Sequence, residues 1–187
     1  MVNSLNSLSH RAAIALGSNL GDSQTIISGA LQALRDHPGI QLEAYSRCYQ
    51  TPAVGPPQPD YLNACAVLRT HLTPRALLHC LLDIEARFGR ERRERWGPRT
   101  LDLDLLLFDN DVVEEPGLMI PHPRMTERAF VLVPLCDVAS DWMHPTTDQA
   151  IAQLAEQVDR SGISVVHSTT SWPAPTHSIE PSSQCSL

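Results

Sequence analysis

No lysine occurs anywhere in the 187 residues, so all 14 cationic side chains other than histidine are arginines. That absence excludes a P-loop lysine, a kinase strand lysine and any Schiff-base chemistry with pyridoxal phosphate or a carbonyl substrate. Phosphate, if held, must be held by arginine, by metal or by backbone. Long apolar runs are missing too: nothing reaches the 18 or more consecutive apolar residues of a membrane helix, so no membrane partner is expected. The start, MVNSLNSLSHR, lacks the basic-then-apolar order of a secretory signal, which predicts a cytoplasmic protein. The five cysteines form neither a C-x-x-C pair nor a zinc spacing and are expected to be reduced thiols.

Basic charge is scarce overall. A net charge of −7 argues against nucleic acid as a partner, because neutralising a phosphate backbone needs an excess of Lys and Arg. Yet residues 90 to 99, RERRERWGPR, hold five arginines against two glutamates. A basic island in an acidic chain asks for a specific anion.

What is present reads as one domain of about ordinary size. An apolar run at 12–18 leads through GSNLGD into an amphipathic helix carrying Ile26, Ile27, Ala30, Leu31 and Leu34 on one face, with Asp22 or Ser23 as its cap. From Ile40 the period becomes two, with Ile40, Leu42 and Ala44 on one side of a strand. The proline-rich loop 51–60 precedes a second strand in YLNACAVLRTHL, and Thr73-Pro74 opens a helix with Leu77, Leu81, Ile84 and Phe88 in helical spacing. TLDLDLLLF then reads as a central strand.

The order β-α-β-β-α-β predicts an α+β fold: a ferredoxin-like βαββαβ core with a mixed, largely antiparallel sheet and packed helices in three αβα layers. Pro134 is expected to limit any helix in FVLVPLC, and a modest helix is expected at 148–159. Residues 1–11 read as a flexible segment and 12–160 as the domain. Fourteen of the last 27 residues are Ser, Thr or Pro and only Glu180 is charged, so 161–187 reads as a disordered tail.

Chemistry concentrates in LDLDLL. Residues two apart on a strand share a face, which points Asp102 and Asp104 the same way about 6 to 7 Å apart. Two such acids repel and call for a cation, and hard oxygen donors suit Mg²⁺. A solvated strand edge is the plain alternative, as a solvated loop is for RERRER. Side by side, the carboxylate pair and the arginine forks instead describe a site for transferring phosphate-containing groups. GSNLGD reads as a tight turn rather than a phosphate loop. Tyr61 and Asn63 could offer an aromatic face and an amide to a flat heterocycle, and Phe130 reads as a core aromatic. His122, between two prolines, is held in extended backbone suited to a fixed ligand contact.

ALGSNLGD at 15–22, YQTPAVG and QPDYLNA within 49–64, GRERRERWGPRTLDLDLLLF at 89–108 and IPHPRMTERAFVLVPL at 120–135 resemble the 6-hydroxymethyl-7,8-dihydropterin pyrophosphokinase family of folate biosynthesis. The resemblance implies transfer of pyrophosphate from ATP to the pterin hydroxymethyl group, with AMP as the other product. It implies two Mg²⁺ ions on Asp102 and Asp104, and Arg90 and Arg99 offsetting charge on the phosphates. Glu85, Arg92, Trp96 and His122 would join the ATP site. Thr51, Pro52, Val54, Tyr61, Asn63 and Phe130 would bind the pterin. A monomer is expected, with dihydropteroate synthase as a possible functional neighbour. The competing readings are a non-catalytic nucleotide-binding module and another metal-dependent phosphotransferase.

Overall fold

The computed structural model describes residues 10–53, 57–89 and 98–166. The N-terminal strand β1 (His10–Ser18) is followed by helix α1 (Ser23–Arg35), then by strands β2 (Ile40–Tyr45), β3 (Tyr49–Thr51) and β4 (Tyr61–Thr70). Helix α2 (Pro74–Arg87) leads to β5 (Asp102–Phe108) and the hairpin β6 (Val113–Glu115) and β7 (Leu118–Ile120). Helix α3 (Ala129–Ala139), a small hairpin β8 (Met143–His144) and β9 (Gln149–Ala150), helix α4 (Ile151–Gln157) and β10 (Ser164–Val165) complete the described chain. The main sheet runs β10-β3-β4-β1-β5, with β2 also paired to β4, and every pairing in it is antiparallel.

Local signals start the helices where the sequence places them. The Asp22 carboxylate accepts from the Thr25 amide at 3.1 Å, and the Thr73 hydroxyl accepts from the Ala76 amide at 3.2 Å, each satisfying an otherwise orphaned donor. Asp22 thereby occupies the N-terminus of α1, and GSNLGD is a capped turn.

Two cores sandwich the sheet. Leu31 and Leu34 of α1 and Leu77 and Leu81 of α2 cover one face together with Ile14, Leu16, Leu103 and Leu105. On the other face α3 and α4 bring Val131, Leu135, Ile151 and Leu154 against Ala13, Cys65 and Val67. Strict alternation fails at two points. Register shifts at Leu42/Ala44 and Ala13/Ile14 send Ala44 to the second core while Tyr45 turns to the first, and Leu106 and Leu107 both reach the second.

Several expectations need correction. Helix α3 continues through Pro134 to Ala139. Proline inside a helix costs about 3 kcal/mol, but α3 buries six further apolar side chains at about 1 to 3 kcal/mol each against a sheet face that would otherwise be bare. The last helix begins only at Ile151, because residues 149–150 pair with 143–144. Ordered structure also outruns both expected boundaries: β1 starts at His10, and β10 closes the open edge of β3 beyond residue 160. Cys48, Cys65 and Cys80 are free, whereas Cys136 is disulfide-bonded and departs from the expected thiol.

Asp137 ties α3 to the sheet. It accepts from the Arg47 amide, from Arg47 Nε and from the second Arg47 nitrogen at 2.8 Å, and from Tyr49 Oη at 2.9 Å. Tyr49 is fully buried, and burial pushes its hydroxyl strongly towards the neutral form. Asp137→Ala is therefore expected to lower unfolding free energy by about 2 to 3 kcal/mol in a denaturant titration, since it strands a buried donor; an unchanged midpoint would contradict this role.

Candidate active site

Strand β5 is bonded along β1, with Ala15 opposite Asp104 and Gly17 opposite Asp102. The leucines Leu103 and Leu105 enter the first core and turn both aspartates to the other face, into a cavity of about 490 Å³. Thr51 and Pro52 at the end of β3, Tyr61 and Asn63 on β4, Arg99, His122 and Phe130 line the same cavity.

Asp102 is held by Arg99, whose guanidinium nitrogen lies 2.6 Å from its carboxylate. Arg99 is itself fixed through its backbone. Its amide donates to Asn19 Oδ1 at 2.8 Å, and its carbonyl accepts from the Asn19 amide at 3.0 Å. The same Asn19 side chain donates to Gln58 Oε1 and to the Pro59 carbonyl, both at 3.0 Å, so one buried amide joins the start of β5 to the loop before Tyr61.

Asp104 faces His122 Nε2 at 3.9 Å and an Arg128 guanidinium nitrogen at 3.8 Å. Burial and the neighbouring Asp102 carboxylate push the Asp104 carboxyl up, opposed by His122, Arg128 and Arg99. Burial pushes the His122 imidazole down, which favours the neutral ring despite Asp104. His122 Nδ1 accepts from the Arg124 amide at 3.3 Å, leaving the ring proton on Nε2, directed to the cavity.

The donor set suits a divalent cation. Two carboxylates share one face of a rigid strand, and ionising Asp104 costs free energy that positive charge between the pair would offset. Among the described residues no group of three or more His, Cys, Asp and Glu side chains is poised for a metal, so a cation on this pair would complete its shell with water or phosphate oxygens.

On the β3 and β4 side of the cavity, Asn63 Nδ2 donates to Thr51 Oγ1 at 2.8 Å and binds β4 to β3. Gly17 makes room there, because a Cβ on it would lie 3.1 Å from Asn63 Oδ1. Arg128 stacks over Phe130 with its guanidinium carbon 5.4 Å from the ring centroid, linking the aromatic wall to Asp104.

Glu85 does not line the cavity. It is buried on α2, and its Oε1 accepts the Leu103 amide at 2.7 Å, between the two aspartates and beneath them. Val54, Arg90, Arg92 and Trp96 lie outside the described residues. Asn19, Gly17, Arg124 and Arg128 were not singled out from the sequence. Arg128 adjoins Phe130 in TERAF, and a cation beside an aromatic was the available signal.

The α+β scaffold thus gathers paired carboxylates, an arginine fork, a neutral imidazole and aromatic side chains around one cavity, a set of groups whose chemistry suits phosphate and a flat ring. Residues 13–140 match the family model described as 7,8-dihydro-6-hydroxymethylpterin-pyrophosphokinase (HPPK). The chain is 48% identical over 154 residues to the 2-amino-4-hydroxy-6-hydroxymethyldihydropteridine pyrophosphokinase of Synechocystis, covering 82% of this chain and 79% of that protein. It is 40% identical over 161 residues to the Bacillus subtilis protein of the same name, covering 84% and 96%. Among solved structures, Plasmodium falciparum HPPK-DHPS superimposes with a TM-score of 0.67 at 16% identity, over 82% of this chain and 45% of that one. The chain belongs to the 7,8-dihydro-6-hydroxymethylpterin-pyrophosphokinase family.

Proposed function

We propose that this protein transfers pyrophosphate from ATP to the hydroxymethyl group of 6-hydroxymethyl-7,8-dihydropterin in folate biosynthesis, releasing AMP. The observation that carries the reading is one cavity lined both by Asp102, Asp104, Arg99 and His122 and by Thr51, Pro52, Tyr61, Asn63 and Phe130, with Gly17 of β1 lying between Asn63 on β4 and Asp102 on β5. A triphosphate and a flat heterocycle can meet there with the hydroxymethyl oxygen facing phosphorus.

In this reading the pterin oxygen attacks the β-phosphorus, the bond from that phosphorus to the oxygen bridging to the α-phosphate breaks, and AMP departs with that oxygen. The hydroxyl proton leaves to water. Asp102 and Asp104 would hold Mg²⁺, two ions in our reading, which neutralises phosphate charge when bound. Arg99 offers its fork to phosphate oxygens, and His122 donates its Nε2 proton to another. Arg90, Arg92 and Trp96 are assigned to the ATP side on the sequence motif alone, and Val54 to the pterin side on the same ground. Glu85 serves the ATP site indirectly, through the Leu103 amide. Tyr61 and Phe130 stack on the pterin, while Asn63 and the Thr51–Pro52 backbone meet its edge.

The ferredoxin-like description of the core belongs to this reading: β1 lies between β4 and β5, and β2 and β3 pair with the other edge of β4, which supports it. So do a monomeric state, a cytoplasmic location and a dihydropteroate synthase neighbour. A fused HPPK-DHPS is what the P. falciparum structure contains.

Incubating the protein with ATP, MgCl₂ and the hydroxymethyl-dihydropterin should give one AMP per pterin consumed. ADP as the nucleotide product would overturn the reading in favour of single phosphoryl transfer. Phe130→Ala is expected to raise the pterin KM by roughly tenfold, from lost stacking area and edge contacts, while leaving the ATP KM near wild type. Equal rises in both constants in steady-state kinetics would contradict the assignment of that wall.

A further inference from the structure

The turn between α4 and β10 falls where composition reads as tail, yet it reaches the cavity. Asp159 lines it together with Thr51 and Pro52. Gly162 sits at φ +78°, and a Cβ on it would fall 2.8 Å from Pro52 Cγ and 3.2 Å from Cδ. The turn is therefore in van der Waals contact with the ring that lines the cavity.

It is also held from both sides. Upstream, Arg160 Nε donates to the Ala155 carbonyl of α4 at 3.0 Å. The Asp159 carboxylate accepts from the Ser161 amide at 2.9 Å and from its hydroxyl at 2.8 Å, and the Ile163 amide donates to the Arg160 carbonyl at 3.1 Å. Downstream, Ser164 and Val165 pair with Gln50 and Tyr49 of β3, and the Val166 amide donates to the Cys48 carbonyl at 2.8 Å. The turn is thus tied to α4 on one side and to β3 on the other, and Pro52 follows directly on the last residue of β3. Proline fixes its own φ, so added volume at residue 162 transmits to the Thr51–Pro52 backbone.

We propose that the Asp159–Gly162 turn is a positioning element of the pterin subsite, with Gly162 setting the seat of Pro52 and hence the edge that reads the heterocycle. This rests on the pterin reading above. Gly162 touches no substrate in this account and acts through Pro52.

The test uses full-length Gly162→Ala, with pterin affinity followed by its fluorescence and by steady-state kinetics. The pterin Kd and KM should rise about tenfold, as expected for a small misplacement of a binding edge. The KM for ATP and the turnover at saturating pterin should stay within about twofold, since the carboxylate pair is untouched. Adding Pro52→Ala should recover part of the lost affinity, because it removes the ring that the new methyl meets. An unchanged pterin KM in folded Gly162→Ala, equal rises in both KM values, or no recovery in the double variant would overturn the proposal. Should Gly162→Ala not fold, Asp159→Ala unties the same turn at an exposed position without adding volume. It should raise the pterin KM severalfold, and a wild-type value would equally refute the idea. Failure of the wild-type protein to consume pterin would instead sink the function reading itself.

Discussion

Asp102→Ala and Asp104→Ala are each expected to lower turnover by on the order of 10³-fold or more, because each withdraws several kcal/mol of charge stabilisation from a cation-assisted displacement. The fold should survive. Both side chains project away from the first core, and the residues between and beside them, Leu103 and Leu105, supply the buried contacts. Asp104 carries a further expectation. Its folded-state carboxyl is shifted up, so the ionised form costs stability above the unfolded carboxylate range, and that cost is relieved as pH falls. Asp104→Asn should consequently melt no lower than wild type at neutral pH while losing activity, a separation typical of groups kept for function. Wild-type turnover in either alanine variant would contradict the cation assignment, and a collapsed melting transition in Asp104→Asn would contradict the electrostatic argument.

Arg99→Lys should be the second largest loss, about 10²-fold in kcat/KM, although charge is conserved. Arg99 is pinned at its backbone by Asn19 and at its guanidinium by Asp102, so the position of the side chain is determined before substrate arrives. Lysine offers a point charge where two parallel N–H donors are needed, and losing one such donor costs about this much. Steady-state kinetics with ATP and pterin varied separately would check it. An unaffected kcat/KM for ATP would remove Arg99 from the phosphate site.

The shared face of Asp102 and Asp104 was legible because strand geometry is so regular. Leu-Asp-Leu-Asp can be read as a face of acids over a face of leucines without knowing anything else, and the starts of α1, at Asp22 or Ser23, and of α2, at Thr73, were readable in the same local way, with the structure choosing Asp22. Harder to see were features that depend on pairing partners far along the chain. The bulges that redirect Ala44 and Leu106 follow from register with β4 and β1 and leave no mark on alternation itself. Glu85, expected at the ATP site, also accepts from the Leu103 amide, a contact between α2 and β5 that its spacing does not announce. Asn19 reads as part of a turn, and only its contacts to Gln58, Pro59 and Arg99 reveal it as the clamp between the loop before β4 and the segment before β5. Composition misjudged residues 161–166 because two backbone hydrogen-bonding positions on a strand edge do not require apolar side chains. Pro134 misled for the opposite reason: a local rule was outweighed by burial on a sheet face whose need for cover is set by the whole fold.

The most direct trial of the account is a Mn²⁺ titration followed by electron paramagnetic resonance, with an α,β-methylene analogue of ATP present. Bound Mn²⁺ in the wild-type protein, lost in the Asp102→Asn/Asp104→Asn double variant while its melting transition persists, is the predicted result. Undiminished Mn²⁺ binding in that variant would contradict the account, because the triphosphate would then be held at another place.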